Sequence, residues 1–469
     1  MKTLARTTLA TPVSLFKSSL LFAVCLTSFG PEARAQIRGE DASPGVGLWR
    51  SDPHYPVPYR VPETEQVADT LARVGKYVDN NCPIRWIDLD TGEAIEAGNS
   101  DVLNPGLEYG LFSPISYEWG VTYAGMIRAA EVTGDPFYHD YVKQRLEAIE
   151  QIGARYLQRL PEDRPRRYLT DGLIEPHNLD QCGSMTAGII KAHAHGIGDD
   201  LSRFFNPAID YISNKQMRLA DGTFARNRPL PNSLWLDDLY MSVPALAQMG
   251  KLTGEHKYFD DACAQIIQMN ERMYLPDTGI YRHGWVEDMS PHPSFAWGRA
   301  NGWTIMATAE LLSELPADHP QFDTILSIYQ QHIAGIAAHQ GIDGFWHQLL
   351  DRPETYQETS ATAMFVFSLA RGINRGWIEA SAYAPRAILG WNALSTQIDE
   401  EGAIHGTCVG TGIGWDAAFY AYRPVSKHAP HGYGPTILAG AEVLEMLELF
   451  GDELSFHDSA IHFGETPDW

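Results

Sequence analysis

The chain has 469 residues, 44% hydrophobic and 20% charged, with a formal net charge of −24. A globular composition this acidic argues against nucleic acid and anionic membrane surfaces as partners. It leaves room for an anionic small ligand, because a few local cations can set the field inside a pocket.

At the N-terminus, Lys2, Arg6 and Lys17 precede the apolar run Leu20–Leu26, and Ala33-Arg34-Ala35 forms an A-x-A site before Gln36. This is the pattern of a cleavable signal peptide over residues 1–35. The run is too short for a membrane span, which needs about 18 apolar residues. The expectation is a periplasmic or secreted protein with no membrane insertion. Removing the leader leaves 31 basic against 58 acidic residues, a formal −27. Residues 36–62 read as an extended Pro-rich lead-in, and 63–469 as a single catalytic domain. Cys82, Cys182, Cys263 and Cys408 are far apart and form no C-x-x-C pair, so isolated buried thiols are expected rather than zinc or redox sites. His193 and His195 fall on different helix faces. No metal or cofactor is expected.

Further along, apolar helix-patterned segments alternate with short turns that echo one another. EVTGDPFYHDYV surrounds Gly134, HGIGDDLSRFF Gly198, KLTGEHKYFDDA Gly254, ELPADHPQFDTI Asp318 and GINRGWIEASAY Gly376. Their spacing, about 60 residues, is the length of a helix hairpin. Glycine suits a left-handed C-cap, and Asp, Glu or Pro then opens the next helix. A second set of loops lies between these turns: LADGTFAR (219–226), PDTGIYRHGW (276–285), GIDGFWHQ (341–348) and DEEGAIHG (399–406). Their Asp-Gly and Thr-Gly steps beside aromatics suggest short β-hairpins. With an opening helix near 63–80 and a closing one near 436–450, six hairpins result. The fold class is all-α, an (α/α)6 barrel with tight turns at one end and hairpin loops at the other.

Inner helices begin where the aromatic loops end, so helix-start residues line the mouth. They are Asp180 in HNLDQCG, Asp237 and Asp238 in LWLDDLYMSVP, Arg299 and Trp303 in WGRANGW, and Glu358 in YQETSATAMF. Each could be a helix cap, where such residues are preferred. Alternation through Trp235–Tyr240 lets only one of Asp237 and Asp238 face the cavity. Apolar surroundings would raise that carboxyl's pKa and make it a proton donor. Asp180 could share a proton or a water with it. Arg299 suits a sugar carboxylate, which a guanidinium binds through two parallel hydrogen bonds. His283 is expected to bond substrate or an attacking water, and Trp235, Trp285, Trp297 and Trp303 are candidates for stacking on sugar rings.

From Trp119 to Leu449 the text NLDQ, WLDDLYMSVP, GKLTGEHKYFD, TGIYRHGW, FAWGRANGW, GFWHQLLD, ETSATAMFVFSLARGINRGW and CVGTGIG resembles glycoside hydrolase family 105, the unsaturated rhamnogalacturonyl hydrolases. It resembles more distantly the unsaturated glucuronyl hydrolases of family 88. The resemblance implies removal of a 4,5-unsaturated uronic acid from the non-reducing end of lyase-generated oligosaccharides. The C4=C5 bond is hydrated and the resulting hemiketal opens to release the sugar, so carboxylates at glycosidase spacings are the wrong template. By the same resemblance Asp237 is the general acid/base and Asp180 the second catalytic aspartate. His283, Arg299, Trp303, Trp235 and Tyr117 would bind substrate. Gln181 departs from a histidine found in some members, which affects contacts to the second sugar. The expected partner is an unsaturated oligosaccharide from pectin or ulvan, and the protein a monomer or homodimer. A lyase or epimerase on the same toroid would instead depend on tyrosine or paired histidines. An exported oligosaccharide-binding protein would have aromatic walls without an aimed carboxylate.

Overall fold

The computed structural model describes residues 58–464 apart from 109, 165–167, 458 and 459; the leader and most of the Pro-rich lead-in lie outside the described residues. Within the unit that takes in Pro58–Phe456, the helices form two concentric rings. The inner ring is α2 (Tyr117–Thr133), α4 (Leu179–Ala194), α6 (Asp237–Tyr240) with α7 (Val243–Thr253), α9 (Gly298–Glu314), α11 (Thr359–Asn374) and α13 (Tyr433–Phe450). Each packs on the next, and α13 returns to α2 to close the ring. Outside them lie α1 (Thr64–Asn81), α3 (Pro136–Leu157), α5 (Ser202–Asp210), α8 (His256–Met273), α10 (Phe322–Ala338) and α12 (Ala380–Ser395).

Sequence pattern separates the two rings. Outer α1 is amphipathic and buries Val67, Leu71, Val74 and Val78 on one face. Inner α9 is buried on every side from Gly298 to Leu312, as a helix surrounded by others must be. The five expected turns each join an inner helix to the next outer one. Gly134 (φ 67°) and Gly254 (φ 72°) are left-handed C-caps whose N–H groups donate to Ala130 and Gly250. Asp135 then caps α3 by accepting from the Phe137 N–H. At the other end, Tyr274–Leu275 pairs with Ile280–Tyr281, and bridges join Arg218 to Phe224 and Ile398 to Ile404. Cys82, Cys182, Cys263 and Cys408 are free and buried.

Two features depart from the sequence pattern. Strands β1 (Trp86–Asp88) and β2 (Pro105–Leu107) pair antiparallel before the first inner helix, in a stretch whose apolar residues show no clear alternation. The third inner segment is also broken. It starts as α6, leaves helical geometry at Ser242 (ψ −55° with φ −144°) and resumes as α7 with Pro244 in its first turn. At this break the Met241 carbonyl leans against α4. A Cβ on Gly183 would fall 1.6 Å from that oxygen, so only glycine fits there.

Candidate active site

Helix starts and hairpin loops meet at the mouth. β3 (Ser233–Trp235) pairs antiparallel with β4 (Gly284–Val286), setting Trp235 opposite Gly284. This ladder places Asp237, at the start of α6, beside His283. Asp237 Oδ2 lies 3.0 Å from His283 Nε2, and His283 Nδ1 lies 2.9 Å from the Tyr420 hydroxyl. The Gly414 N–H donates to that hydroxyl at 2.9 Å. Burial keeps the Tyr420 hydroxyl protonated. His283 is therefore a buried link, 1% exposed, between Asp237 and the glycine-rich loop 408–414. Its ring is held between Asp237 and Tyr420 and so fixes the orientation of Asp237.

The direction of Asp237's pKa also differs from expectation. Burial pushes it up, but the hydrogen bond and charge of His283, with the charges of Arg226 and Arg299, outweigh that and hold the carboxyl below its usual range. The apolar neighbours are present, and the cations behind them decide the sign.

The other two aspartates serve a different purpose. Asp238 is 0% exposed and accepts from Arg226 Nε at 2.9 and 3.0 Å. Asp180 closes on the same guanidinium from α4, accepting from Nη1 at 2.8 Å and Nη2 at 2.6 Å, and accepts also from Arg228 Nη2 at 2.9 Å. Alternation at 237–238 is thus as expected, with Asp237 toward the cavity and Asp238 away from it. Both oxygens of Asp180 are tied to arginines. It is an ion-pair partner of Arg226 and Arg228, and among the described residues no hydrogen bond joins it to Asp237. It is not the cap of α4 either, since Asn178 accepts from the Gln181 N–H at 3.1 Å. Gln181 Oε1 accepts from the His177 N–H and so steadies the loop before α4.

Arg299 is 1% exposed, with Nη1 donating to the Cys408 carbonyl and Nη2 to the Val409 carbonyl, both at 2.7 Å. Glu358 is a helix cap: it accepts from the Ala361 N–H at 2.7 Å, and its other oxygen accepts from the Cys408 N–H at 2.8 Å. Together they pin loop 408–414. The Arg299 guanidinium thus holds the backbone of this loop. Trp303 is 1% exposed and packs on Tyr240, ring centroids 4.9 Å apart, within the barrel wall. Trp297 is equally buried, its indole N–H donating to Gln348.

What remains is a cavity of about 250 Å³ lined by Tyr117, Asp180, Arg226, Arg228, Trp235, Asp237, Met241 and Gly410–Gly412. Tyr117 and Trp235 line it as expected. Burial drives the Tyr117 pKa well up, and its hydroxyl lies 2.6 Å from His431 Nε2. Sequence reasoning missed Arg226, Arg228 and Tyr420. The signal for the arginines was present: two arginines at i and i+2 in the extended FARNRP text share one face. Tyr420 carried none, because its place follows from the path of the loop before α13.

Among the described residues, an inner and an outer ring of six helical segments each, with the inner starts converging on a polar cavity, define an (α/α)6 barrel. The chain belongs to Glycosyl Hydrolase Family 88, whose model matches residues 86–447. It is 26% identical over 242 residues to the unsaturated rhamnogalacturonyl hydrolase YesR of Bacillus subtilis, covering 50% of this chain and 68% of that one. Against the unsaturated 3S-rhamnoglycuronyl hydrolase of Formosa agariphila it is 28% identical over 228 residues, 46% of this chain and 58% of that enzyme. The fold matches the crystal structure of a possible GH105 member from Salmonella enterica, with a TM-score of 0.65 at 22% identity over 83% of this chain and 98% of that one.

Proposed function

We propose that the protein removes a 4,5-unsaturated uronic acid from the non-reducing end of oligosaccharides by adding water across C4=C5. One observation carries this reading. Of the two carboxylates lining the cavity, Asp237 is the one no arginine ties down, and a buried histidine fixes its orientation. Asp237 delivers a proton to C4 and accepts one from the water that adds at C5. The hemiketal so formed opens, and the remaining saccharide leaves. The wall supplies Trp235 as an apolar face and Tyr117 as a hydroxyl that keeps its proton.

The names of both hydrolase relatives couple the uronyl unit to rhamnose, which supports a rhamnose-containing oligosaccharide from pectin or ulvan. The acidic surface leans toward the marine, ulvan-derived unit. Residues 1–35 support export, so the mature chain should begin at Gln36.

The test is incubation with lyase-generated unsaturated disaccharides of both origins while the ultraviolet absorbance of the conjugated double bond is followed. Absorbance falls as water adds, and the better substrate identifies the source. A rise with intact polymer would mean a lyase, and a flat trace with measurable binding would mean a binding protein.

A further inference from the structure

The substrate of this reaction carries a carboxylate at C5, next to the bond that reacts, and both terminal nitrogens of Arg299 already donate to loop carbonyls. Two cations line the cavity. Arg226 is 8% exposed, and its guanidinium is enclosed by Asp180 and Asp238. Arg228 is different. Its side chain is 59% exposed, its guanidinium lies 5.0 Å from the Trp235 ring centre, and it bonds only Asp180, through Nη2. Among the described residues, Nε and Nη1 of Arg228 find no acceptor.

A second observation concerns Gly410, Thr411 and Gly412 in the same wall. Their backbone N–H groups have no acceptor among the described residues. Glycine is not required by the fold at 410 or 412, as neither has a positive φ. A Cβ at 410 would meet nothing within 4 Å, and one at 412 only the Trp235 ring at 3.6 Å. Without side chains at 410 and 412 the backbone is bare where it lines the cavity, the condition that anion-binding loops need.

We propose that Arg228, with the backbone amides of Gly410–Gly412, binds the uronate carboxylate and thereby seats C4=C5 beside Asp237. The assignment rests on the unsaturated-uronyl reading above. An exposed guanidinium with an unused edge matches a carboxylate in planar, two-bond fashion. The incoming charge acts on Asp237 as well. A carboxylate seated close by disfavours ionised Asp237, so binding itself helps load the proton that C4 receives.

The experiment compares an unsaturated disaccharide with its uronate methyl ester, in wild type and in Arg228→Gln, by turnover and by calorimetric binding. The expected result is a KM for the acid raised about 10- to 100-fold in the variant, the scale of a lost charged hydrogen bond. The ester should be bound equally weakly by both proteins. Arg228→Lys should restore part of the loss, and Gly410→Val should weaken the acid with no change in melting temperature. Equal loss on acid and ester, or no loss on either, overturns the assignment. Binding keeps it separate from the hydrolase reading. If wild type turns over neither compound, the hydrolase reading fails, while acid-over-ester preference that vanishes in Arg228→Gln still supports the anion site. A wild type that shows no such preference refutes the site.

Discussion

At the floor of the barrel, toward the C-terminal ends of the inner helices, Glu442 accepts from Arg128 Nε at 2.7 Å and pairs with Arg371 Nη2 at 2.6 Å. Lys191 pairs with Glu310 beside them. At the mouth, Asp237 has only His283, and Arg228 has one bond to Asp180. Both clusters follow the helix dipoles: Lys191 and Arg371 stand in last turns, Asp180 and Asp237 in first turns. They differ in burial. Glu442 and Glu310 are 0% and 2% exposed, Asp180 and Arg228 33% and 59%. Charges closed on one another in the dry floor fix the rotation of the inner helices. Charges left partly open at the mouth have capacity for a ligand. Burial thus separates scaffold from chemistry better than residue type or place along the helix does, since Asp238, Arg299 and Glu358 also stand at helix starts yet are closed on the protein.

The sharpest way to break this contrast is Asp237→Asn. The carboxamide keeps the shape but holds no transferable proton, so kcat should fall about 10³-fold, within the range for a lost general acid/base. The melting temperature should stay near that of wild type. Turnover that survives in the folded variant would end the assignment of proton transfer to this residue.

The floor should respond the opposite way. Glu442→Gln leaves Arg128 and Arg371 facing a neutral amide in a buried place. Breaking such a pair costs about 3–5 kcal/mol, to be read by denaturant unfolding. The folded fraction should keep its kcat. A kcat loss at full occupancy of the fold would mean that the floor couples to the chemistry.

Acid separates the two ends again. The paired arginines Arg371 and Arg128 outweigh burial and bring the Glu442 pKa from 4.5 to about 2. Its stabilisation is therefore fully present above about pH 4.5 and is lost as pH falls toward 2, a contribution of about 3 kcal/mol. Asp237, also held low, is ionised at neutral pH, so kcat/KM for a step that needs its proton should rise as pH drops from 7, at most about tenfold per unit. Activity climbing while stability stays flat down to about pH 4.5 would fit the comparison. A kcat/KM that falls on acidification would contradict the proton-donor role.

Much of this was legible in the chain. The turns at Gly134, Gly198, Gly254, Asp318 and Gly376 announced six hairpins because a helix stop and restart needs a small set of residue types. The split between Asp237 and Asp238 followed from alternation. The sequence could not tell which polar helix-start side chains reach the cavity and which turn back to hold the loops. Arg299 and His283 stand in the right text, yet the Cys408 and Val409 carbonyls take the donors of Arg299, and Asp237 and Tyr420 take the ring nitrogens of His283. That depends on where a segment more than a hundred residues later comes to rest. Arg228 was missed for the converse reason: it lies in a loop without helical pattern and gains meaning only beside Asp180 and Trp235.

The smallest expected effect is at Trp303, which the resemblance assigns to the substrate and which packs on Tyr240 in the barrel wall. As a sugar platform it would lose about 1–3 kcal/mol of binding when its ring is cut back, seen as a raised KM. As wall packing against Tyr240, Trp303→Phe removes only part of a buried ring and should cost about 1–2 kcal/mol of stability, with KM and kcat unchanged. The two outcomes appear in different measurements, unfolding against kinetics, so neither can imitate the other. The same substitution at Trp235, which lines the cavity, should move KM instead. A Trp303 variant with wild-type stability and a raised KM would return that residue to the substrate, and would mean that the barrel wall opens when the sugar enters.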